Sequence, residues 1–372
     1  MRILQLCTRF PPGGIQRHVI DLTLGLRARG QEVWIAGTRG PWMDEATDTR
    51  FRHIDVHNVA GEGGSTPRRL WTALKSGLAL RKVLKAEGIE LVHAHESAPA
   101  LVAWVATRGL GIPVFVTFHG AEPERIAEFG RIARICADLI ITPSHNSKRD
   151  LVEQGGVPEG KVRVMGLGVQ QKPRPPVDEV EKLRAELLGA QGKTLIVTVA
   201  RLAHQKAIDH LILAAKKALG INPALRFVVV GDGPQRDQAQ AWLEQANVGY
   251  AVRFIGHSDN APLYMAAADL FFLPSRWESL PITIVEAFQQ ATPVLATDTA
   301  GVTELVTGDV GAVVPVGDVD AMAAQLIALT ADTARLSAMS DAALKRSQDE
   351  RFSPPHVQAA FEALYAQWLG RA

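Results

Sequence analysis

The stretch TLIVTVARLAHQKAIDHLILA (residues 194–214) contains one complete repeat of the fold that this chain is expected to adopt. Its first part, TLIVTVA, is a short continuous apolar run, which is typical of a strand buried on both faces. A polar turn follows, with Arg201 at the end of the strand and Lys206 at the start of the helical pattern IDHLILA. A strand, a turn and a helix in this order predict one unit of a parallel α/β sheet.

The same alternation of short apolar runs and helical segments continues along the whole chain. The other predicted strands are RILQLC, EVWIAGT, ELVHAH, PVFVTFHG and DLIITPS in the first half, and RFVVVGDG, VRFIG, DLFFLPS and TPVLAT in the second. The helices predicted in the first half are 15–29, 68–87, 98–108, 123–137 and 145–154. Parallel sheets that are covered by helices on both faces have this pattern. We therefore predict an α/β protein with two Rossmann-like, doubly wound domains facing each other across a cleft.

The boundary between the predicted domains is marked by proline. The chain has 372 residues, enough for about two domains at roughly 150 residues each. The segment QKPRPPVDEV holds three prolines and separates the two halves. We expect an N-terminal domain at 1–170, a linker at 171–192 and a C-terminal domain at 193–352. A last helix at 353–372 is expected to pack back toward the N-terminal domain.

Charge and cysteine content restrict the class of protein. Lysine and arginine outnumber aspartate and glutamate by 23 to 17 in residues 1–172, whereas acidic residues lead by 22 to 17 in the rest. A basic first half favours a phosphate-bearing partner or an anionic surface, although a solvated face has the same composition.

Cys7 and Cys136 lack CxxC spacing, so we expect buried free thiols. No signal-peptide pattern or run of ~18 apolar residues is present, so we expect a cytoplasmic protein, either soluble or peripheral on the inner face of the membrane.

The first strand-to-helix turn, FPPGGIQRHV, carries Gly13 and Gly14. Glycines between a strand and a helix leave backbone amides open to an anion, although a tight structural turn has the same composition. The turn is not GxGxxG, and the second strand ends in AGTR with no acidic residue for a ribose. A nicotinamide dinucleotide site is therefore not expected.

Four histidines fall near the predicted carboxyl ends of strands in the first half: His18, His93, His95 and His119. The HxH spacing places His93 and His95 on one face of a strand, which would suit a metal. Glu96 is the only carboxylate nearby and no cysteine is close, so we do not expect a metal there. His119 ends an apolar strand and precedes Gly120, which predicts that its imidazole projects into the cleft; a hydrogen-bonded loop histidine is the alternative.

Cations and glycines mark the corresponding turns of the second half. Arg201 and Lys206 beside a helix N-terminus would form a clamp for a diphosphate, with a surface pair as the alternative. The turn in VVVGDGPQR is suited to close approach of a flat base or a ribose, although by itself it is a weak signal.

The stretch SRWESLPITIVEAF contains Glu278 and Glu286, eight positions apart. We expect a helix to begin near Leu280–Pro281, with Ser279 as its N-cap. Eight residues of helix span about 12 Å, which exceeds the ~5–9.5 Å between the carboxylates of a glycosidase. Two carboxylates that contact opposite ends of one extended ligand are the better interpretation.

Taken together, GGIQRH, TFHG, VARLAHQK, VVVGDGPQR and SRWESLPITIVEAF resemble, in order and spacing, the retaining GT-B glycosyltransferases of family 4, the glycosyl transferases group 1. The segment TELVTGDVGAVVPVGDVDAMA adds to the likeness, which extends over nearly the whole chain. The resemblance implies a nucleotide-diphosphate sugar donor, with UDP favoured over GDP, bound mainly by the second domain. It also implies a glycan or polyprenyl-linked acceptor bound mainly by the first.

The resemblance assigns roles to individual residues. The catalytic residues so implied are His119, Glu278, Arg201 and Lys206. The donor-binding residues are Gly14, Arg201, Lys206, Gly231, Asp232, Gly233, Ile255, Ser279, Leu280, Ile282 and Glu286. The acceptor side is Gly13, Arg17, His18 and His95. Arg201 and Lys206 would hold the diphosphate, Glu286 the ribose and Glu278 the sugar, with His119 beside the reacting centre.

The chain also departs from the family pattern. Ala207 replaces the usual glycine after the lysine, Thr303 replaces a common proline, and Leu280–Pro281 stands where Phe-Gly is frequent. These changes leave the charged positions intact but could alter the choice of donor. The string Asp318-Val319-Asp320 matches a metal-binding DxD, but it opens a helical run and helix capping explains it better. No metal, cofactor or nucleic acid is expected.

The segment PRRLWTALKSGLALRKVLK (67–85) is basic and amphipathic. Its apolar residues, Leu70, Trp71, Leu74, Leu78 and Leu84, recur near helical spacing. Such a helix would suit an anionic membrane surface and a lipid-linked acceptor, or it would pack its apolar stripe on the sheet.

The resemblance favours a retaining, metal-independent hexosyltransferase that builds a surface polysaccharide or glycolipid. The alternatives are a sugar-nucleotide 2-epimerase of the same fold and an inactive, nucleotide-sugar-binding partner subunit. Against an inactive subunit, every charged position of the implied donor site is present.

Overall fold

The computed structural model describes residues 1–10, 13–40, 50–56, 59 and 66–371. These residues form two compact units. The first unit combines the chain up to Gly168 with the C-terminal stretch that starts at Glu350, and the second runs from Val169 to Asp349.

The first unit is built on a seven-stranded parallel sheet with the order β3-β2-β1-β4-β5-β6-β7. Its strands are β1 (Arg2–Arg9), β2 (Glu32–Thr38), β3 (Phe51–His53), β4 (Leu91–His95), β5 (Val114–Thr117), β6 (Leu139–Thr142) and β7 (Val162–Val164). Its helices are α1 (Gly14–Ala28), α2 (Thr66–Glu87), α3 (Ser97–Thr107), α4 (Pro123–Cys136), α5 (His145–Glu153) and, from the C-terminal stretch, a helix over Pro354–Trp368. The strand order runs outward in both directions from β1 and β4, so the switch point lies between these two strands.

The second unit has a six-stranded parallel sheet with the order β10-β9-β8-β11-β12-β13. Its strands are β8 (Thr194–Val199), β9 (Leu225–Val230), β10 (Val252–Gly256), β11 (Leu270–Leu273), β12 (Val294–Thr297) and β13 (Gly311–Val314). Its helices are α6 (Val177–Leu188), α7 (Ile208–Ile221), α8 (Arg236–Ala246), α9 (Ala261–Ala267), α10 (Ile282–Gln289), α11 (Val302–Leu305), α12 (Val319–Ala331) and α13 (Thr333–Arg346). The C-terminal helix over Pro354–Trp368 is then α14. Here the switch point lies between β8 and β11.

Most strands of the two sheets are apolar because both of their faces are covered by helices. In β9 all six residues are buried, and in β4, β5, β6, β11 and β12 every residue is buried. Strands that are buried on both faces have no polar side to alternate with, which is why their sequences are continuous apolar runs. All ten predicted strands are confirmed. The sequence prediction missed β3, β7 and β13, which are edge strands of three or four residues.

Helices α6 and α14, which lie near the boundaries between the two units, each pack against one unit. The predicted linker 171–192 includes helix α6, which packs against α9 and β8 within the second unit, so only the residues before Val177 lack regular structure. Helix α14 packs against α1, and its Phe361 and Tyr365 are buried with Ile3 and Leu22 in the core of the first unit.

The DxD string is a helix cap. Asp318 is the N-cap of α12, and its carboxylate accepts a hydrogen bond of 2.9 Å from the backbone N–H of Ala321. Asp320 lies in the first turn and pairs with Lys217 on the surface. The capping interpretation of this string is confirmed.

Candidate active site

The carboxyl end of β8 leads into the turn that carries the predicted diphosphate clamp. Arg201 is exposed and has no hydrogen bond or ion pair with any residue in the described part of the chain. A short 3-10 turn, His204–Lys206, follows, and Ala207 then adopts a left-handed conformation with φ 49°. This conformation costs an L-residue roughly 1–2 kcal/mol, which gives a physical reason for the glycine that is usual at this place. Helix α7 begins at the next residue.

Lys206 and Glu278 form an ion pair at the switch point between β8 and β11. Glu278 is only 8% exposed, and its Oε1 also accepts a hydrogen bond of 2.7 Å from the Ser275 hydroxyl. Ligands bind to doubly wound sheets at such switch points, outside the carboxyl ends of the strands. A buried carboxylate that is held by a lysine and a hydroxyl has a fixed position, so the sequence prediction that these two residues share one site is consistent with their geometry.

Arg276 ties the loop after β11 to the turn after β8. Its backbone N–H donates to the carbonyl of Gln205, and its guanidinium donates to the His204 carbonyl at 2.8 Å and to Asp209 at 2.5 Å. Burial raises the pKa of Asp209, but its hydrogen bond to Arg276 and the arginine charge outweigh this and hold the pKa below its usual range. Gln205 in turn donates to the Trp277 carbonyl at 2.9 Å. The contacts of Arg276 with the turn after β8 were not predicted from the sequence, because they join residues about 70 positions apart.

Helix α10 begins at Ile282, with Pro281 as its N-cap residue. The prediction of Ser279 as N-cap is wrong, because Pro281 occupies that position and provides no side-chain hydrogen bond. The amides of a first helical turn have no acceptor within the helix, so those of Ile282 and Thr283 can face an anion. Ser279 and Leu280 are buried in the loop just before them. Glu286 lies on the second turn of α10, where it pairs with Lys172 at 3.2 Å.

The glycine-rich turn after β9 packs directly on the turn after β8. A Cβ at Gly231, whose φ is 140°, would lie 1.9 Å from the Ala200 carbonyl oxygen, and one at Gly233 would lie 2.4 Å from that of Leu202. Asp232 accepts from the Gly233 N–H at 2.7 Å. The structure thus brings the predicted residues 231–233 beside the residues that flank Arg201.

Ile255 lies next to this glycine-rich turn. It is half-buried in β10, and the following Gly256 accepts a hydrogen bond of 2.7 Å from the N–H of Gly231. Because strands β8, β9 and β10 are neighbours, their carboxyl ends bring Arg201, Asp232 and Ile255 to one edge of the sheet.

The four histidines cluster in the first unit around the switch point between β1 and β4. His95 Nδ1 is 3.0 Å from His119 Nε2, and His95 Nε2 is 2.9 Å from Gln5 Oε1. His93 lies 2.6 Å from both the Tyr365 hydroxyl and the Thr117 hydroxyl. His18 packs edge-on against His95 and His119 with ring centroids 5.9 and 5.6 Å away.

These contacts change the role predicted for His95. Its side chain is fully buried, and both ring nitrogens are hydrogen-bonded within the protein. The prediction that His95 contacts an acceptor directly is therefore wrong. His95 lies behind His119, which is only half-buried. His93 and His95 share a strand face as predicted, but their nitrogens are used by protein partners. Within the described ranges, no group of three or more His, Cys, Asp or Glu residues is placed to hold a metal ion.

The cluster is held electrically neutral. Burial lowers the pKa of His18 to about 4 and that of His93 to about 3. Burial, together with the neighbouring histidines, also lowers the pKa values of His95 and His119 well below the usual range. Glu96 accepts from the His119 N–H at 3.0 Å, and burial raises its pKa to about 7 despite this hydrogen bond and the charge of Arg125.

The turn after β1 lies at the carboxyl edge of the first sheet, where the histidines cluster. Helix α1 begins at Gly14, directly after Gly13. Arg17 forms an ion pair of 2.7 Å with Asp21 on the first turns of the helix, and His18 is buried beside it. Arg17, which was predicted on the acceptor side, thus has a partner within the protein.

Helix α2 exposes an apolar row to solvent. Leu70, Trp71, Leu74 and Leu78 are 56%, 67%, 43% and 52% exposed. An adjoining stripe of the helix, which includes Ala73, Leu80 and Leu84, is buried. The helix therefore packs on the protein through a different stripe, and of the predicted apolar residues only Leu84 belongs to it.

Comparison with known proteins identifies the family to which this architecture belongs. Residues 12–171 match the model of the family described as Glycosyltransferase Family 4, and residues 179–346 match that of Glycosyl transferases group 1. The UDP-Gal:alpha-D-GlcNAc-diphosphoundecaprenol alpha-1,3-galactosyltransferase of Escherichia coli is 28% identical over 70% of this chain and 71% of its own length. The lipopolysaccharide core biosynthesis mannosyltransferase LpsB of Rhizobium meliloti is 26% identical over 95% of this chain and 93% of its own length.

A solved structure, that of HepE from Anabaena in complex with UDP, superposes on this chain with a TM-score of 0.81. The alignment covers 99% of this chain and 100% of the HepE chain, at 20% sequence identity. Two parallel α/β units with this likeness define a GT-B, Rossmann-like fold. The chain belongs to the group 1 glycosyltransferases, and it is a glycosyltransferase.

Proposed function

We propose that this protein transfers a sugar, with retention of anomeric configuration, from a nucleotide-diphosphate sugar to a glycan or lipid-linked acceptor. The observation that carries the proposal is the Lys206–Glu278 pair at the switch point between β8 and β11. Arg201 lies at the same edge of the sheet, and α10 begins four residues after Glu278. This arrangement offers cations and helix amides to a diphosphate and a carboxylate to the sugar.

A UDP-linked donor is the proposed substrate class. The Escherichia coli relative is named for a UDP-Gal donor and a diphosphoundecaprenol-linked acceptor, and the HepE structure contains UDP. In this proposal Glu286 binds the ribose hydroxyls, and the backbone around Gly231–Gly233 and Ile255 contacts the base. The relatives from Escherichia coli and Rhizobium meliloti support a role in surface polysaccharide or glycolipid synthesis.

The proposed reaction is a front-face displacement. The bond between the anomeric carbon and the diphosphate oxygen breaks, and the acceptor hydroxyl forms the new bond on the same face. The acceptor proton passes to the departing diphosphate. Charge accumulates on that leaving group, so Arg201, Lys206 and the first amides of α10 contribute the electrostatic stabilisation.

Transfer assays on two variants test this assignment. In Lys206→Met and Glu278→Gln we expect transfer from a UDP-sugar to fall by roughly 10²- to 10³-fold, the effect of losing one preorganised charge-stabilising group. Circular dichroism would establish that each variant is folded. Lys217→Met is a matched control, because Lys217 pairs with Asp320 in an exposed ion pair. Wild-type transfer in both site variants would contradict the proposal.

The nucleobase is identified by ligand-induced stabilisation. UDP, GDP and ADP, at equal concentrations, raise the melting temperature according to their concentration relative to Kd. We expect the largest shift with UDP. Isomerised sugar nucleotide formed without any acceptor would instead indicate an epimerase.

We propose that the reaction needs no metal ion, because the cations and amides near the switch point can stabilise the diphosphate. Transfer is expected to be unchanged by EDTA. Loss of transfer in EDTA with recovery in manganese would contradict this.

We also propose that α2 binds an anionic membrane surface. Lys75, Lys82 and Lys85 are exposed and, at 100° per residue, flank or continue the row Leu70, Trp71, Leu74 and Leu78. Apolar side chains that enter the lipid interface beside lysines at its headgroups are the arrangement of interfacial helices. No helix in the described residues is long and apolar enough to span a membrane.

Vesicle co-sedimentation tests this surface. Trp71→Ala is expected to weaken binding to phosphatidylglycerol vesicles at low salt by roughly tenfold, since about 1.4 kcal/mol of apolar burial is lost. Ile221→Ala, which shortens an equally exposed apolar residue in the second unit, is the control. Absence of binding by the wild-type protein at low salt would contradict the proposal.

A further inference from the structure

The histidine cluster forms one continuous hydrogen-bonded chain from helix α14 to His119. Starting at the C-terminal helix, the Tyr365 hydroxyl accepts from Gln5 Nε2 at 3.5 Å. The other atom of the same amide, Gln5 Oε1, lies 2.9 Å from His95 Nε2. His95 Nδ1 then reaches His119 Nε2 at 3.0 Å. The chain therefore crosses the switch point between β1 and β4 in three steps.

The direction of each hydrogen bond follows from the direction of the first. An amide oxygen can only accept, so His95 Nε2 must carry a proton and donate it to Gln5 Oε1. A neutral imidazole has one N–H, so His95 Nδ1 is an acceptor. His119 Nε2 must then be the donor of the bond between the two rings, which leaves His119 Nδ1 as a bare lone pair.

A second branch, through His93, is consistent with this orientation of Gln5. Because the Tyr365 hydroxyl accepts from Gln5, its own proton is available to His93 Nδ1 at 2.6 Å. His93 Nε2 then donates to the Thr117 hydroxyl at 2.6 Å. Each of these buried ring nitrogens and hydroxyls thus has a partner of the opposite hydrogen-bonding type.

We propose that Gln5 and Tyr365 are positioning residues that fix His119 as its Nε2–H tautomer, so that His119 Nδ1 accepts a hydrogen bond from a substrate hydroxyl. His119 is half-buried, and Nδ1 has no partner among the described residues. The role of His119 as a substrate contact rests on the proposed function; its tautomer does not.

The hydrogen-bonded chain connects the C-terminal helix to the proposed site. Tyr365 is fully buried, and it lies 360 positions from Gln5 in sequence. If Gln5 were turned over, every hydrogen bond in the chain would reverse and His119 would present an N–H instead. Recognition of a hydroxyl as a donor thus depends on one buried amide.

Nitrogen-15 NMR of histidine-labelled protein tests the proposal without an activity assay. Long-range proton–nitrogen correlations distinguish protonated from unprotonated ring nitrogens, and His95→Gln and His119→Gln assign the signals. In the wild-type protein we expect Nε2 to be protonated and Nδ1 unprotonated in both rings. A protonated Nδ1 in His119 would overturn the proposal.

Substitution of Gln5 tests its control over the tautomer. In Gln5→Leu we expect the His119 signals to move to a mixture of the two tautomers, and transfer to lose about tenfold in kcat/KM, equivalent to one hydrogen bond. Tyr365→Phe keeps the ring but removes the hydroxyl, and a smaller shift of the same kind is expected. Thr107→Val removes a buried hydroxyl of α3 in the same unit and should leave the His119 signals unchanged.

The NMR and kinetic results separate the two proposals. Unchanged His119 signals in Gln5→Leu would overturn the positioning role even if transfer falls. The expected tautomer in a protein that transfers no sugar would leave the positioning role intact and contradict the proposed function.

Discussion

At the scale of single residues, Glu96 has a conformation and a protonation behaviour that differ from those of an ordinary surface glutamate. Its φ is 77°, in the region that favours glycine, and it directly follows His95 at the end of β4. Non-glycine residues are held in this region only where the surroundings determine it, at a cost of order 1–3 kcal/mol. The hydrogen bond from the His119 N–H to the Glu96 carboxylate is one such constraint.

The raised pKa of Glu96 predicts a pH-dependent effect of substitution. A carboxyl group whose pKa is about 7 in the folded protein and 4.5 in the unfolded chain favours folding less as pH rises through this interval. Glu96→Gln is therefore expected to increase stability by less than about 1 kcal/mol at pH 5 and by roughly 2–3 kcal/mol at pH 8. Chemical denaturation at both pH values measures this. Equal effects at the two pH values would contradict the assignment.

Gly301 permits a close approach between two loops of the second unit. A Cβ at this position would lie 1.8 Å from the Ser279 carbonyl oxygen, which belongs to the loop before α10. We expect Gly301→Ala to displace that loop, to cost about 1–3 kcal/mol of stability and to weaken UDP binding. Gly308→Ala is the control, because a Cβ there meets nothing within 4 Å. Denaturation and UDP titration of both variants would measure the difference, and equal behaviour would contradict the packing argument.

Among the secondary-structure elements, α2 and α12 each carry a sequence pattern with two possible interpretations, and the contacts of the helix decide between them. The apolar residues of 67–85 are spaced as in an amphipathic helix, but most of them face solvent, because Ala73, Leu80 and Leu84 form the stripe that packs on the protein. The aspartates of the DxD string stand at the start of α12, where their carboxylates meet backbone amides and a lysine.

The cap of α12 gives a prediction that separates helix capping from metal binding. Asp318→Ala is expected to destabilise the protein by about 1 kcal/mol, the usual cost of losing an N-cap, and to leave transfer unaffected by manganese. Asp320→Ala is the matched control, since its partner Lys217 is exposed and such pairs contribute little. Thermal unfolding and transfer assays with and without manganese test this. Loss of transfer in Asp318→Ala at full stability would favour a metal site.

At the scale of the whole molecule, the first unit is closed by the two ends of the chain. Helix α14 places Phe361 and Tyr365 in one core cluster with Ile3, Leu22 and Phe115. The second unit has its own core, formed around Phe227 and Phe272, between residues 169 and 349.

This division predicts that a substitution in α14 acts on one unit. Phe361→Ala is expected to cost about 3–5 kcal/mol, as for other buried aromatic residues, and to lower the stability of the first unit. UDP should still stabilise the second unit, which supplies the proposed donor site. Gln367→Ala, on the exposed side of the same helix, is the control. Calorimetry with and without UDP measures this, and loss of UDP stabilisation in Phe361→Ala would contradict the independence of the two units.

Local sequence patterns alone predict the alternating α/β organisation, ten of the thirteen described strands and the turns that carry Arg201, Lys206, Glu278 and His119. These features depend on local signals, since a strand buried on both faces is a continuous apolar run and a parallel sheet aligns the turns at one edge. The edge strands β3, β7 and β13 were missed because three or four residues with one neighbouring strand have too few apolar positions to form a pattern.

Which side chains meet depends on the folded arrangement of the strands. Lys206 and Glu278 are 72 positions apart, and His95 contacts Gln5 from 90 positions away. Such contacts depend on strand order, and no local pattern of residues encodes strand order. For the same reason the sequence showed His95 as a candidate for the acceptor, whereas the fold places it behind His119 with both nitrogens already bonded.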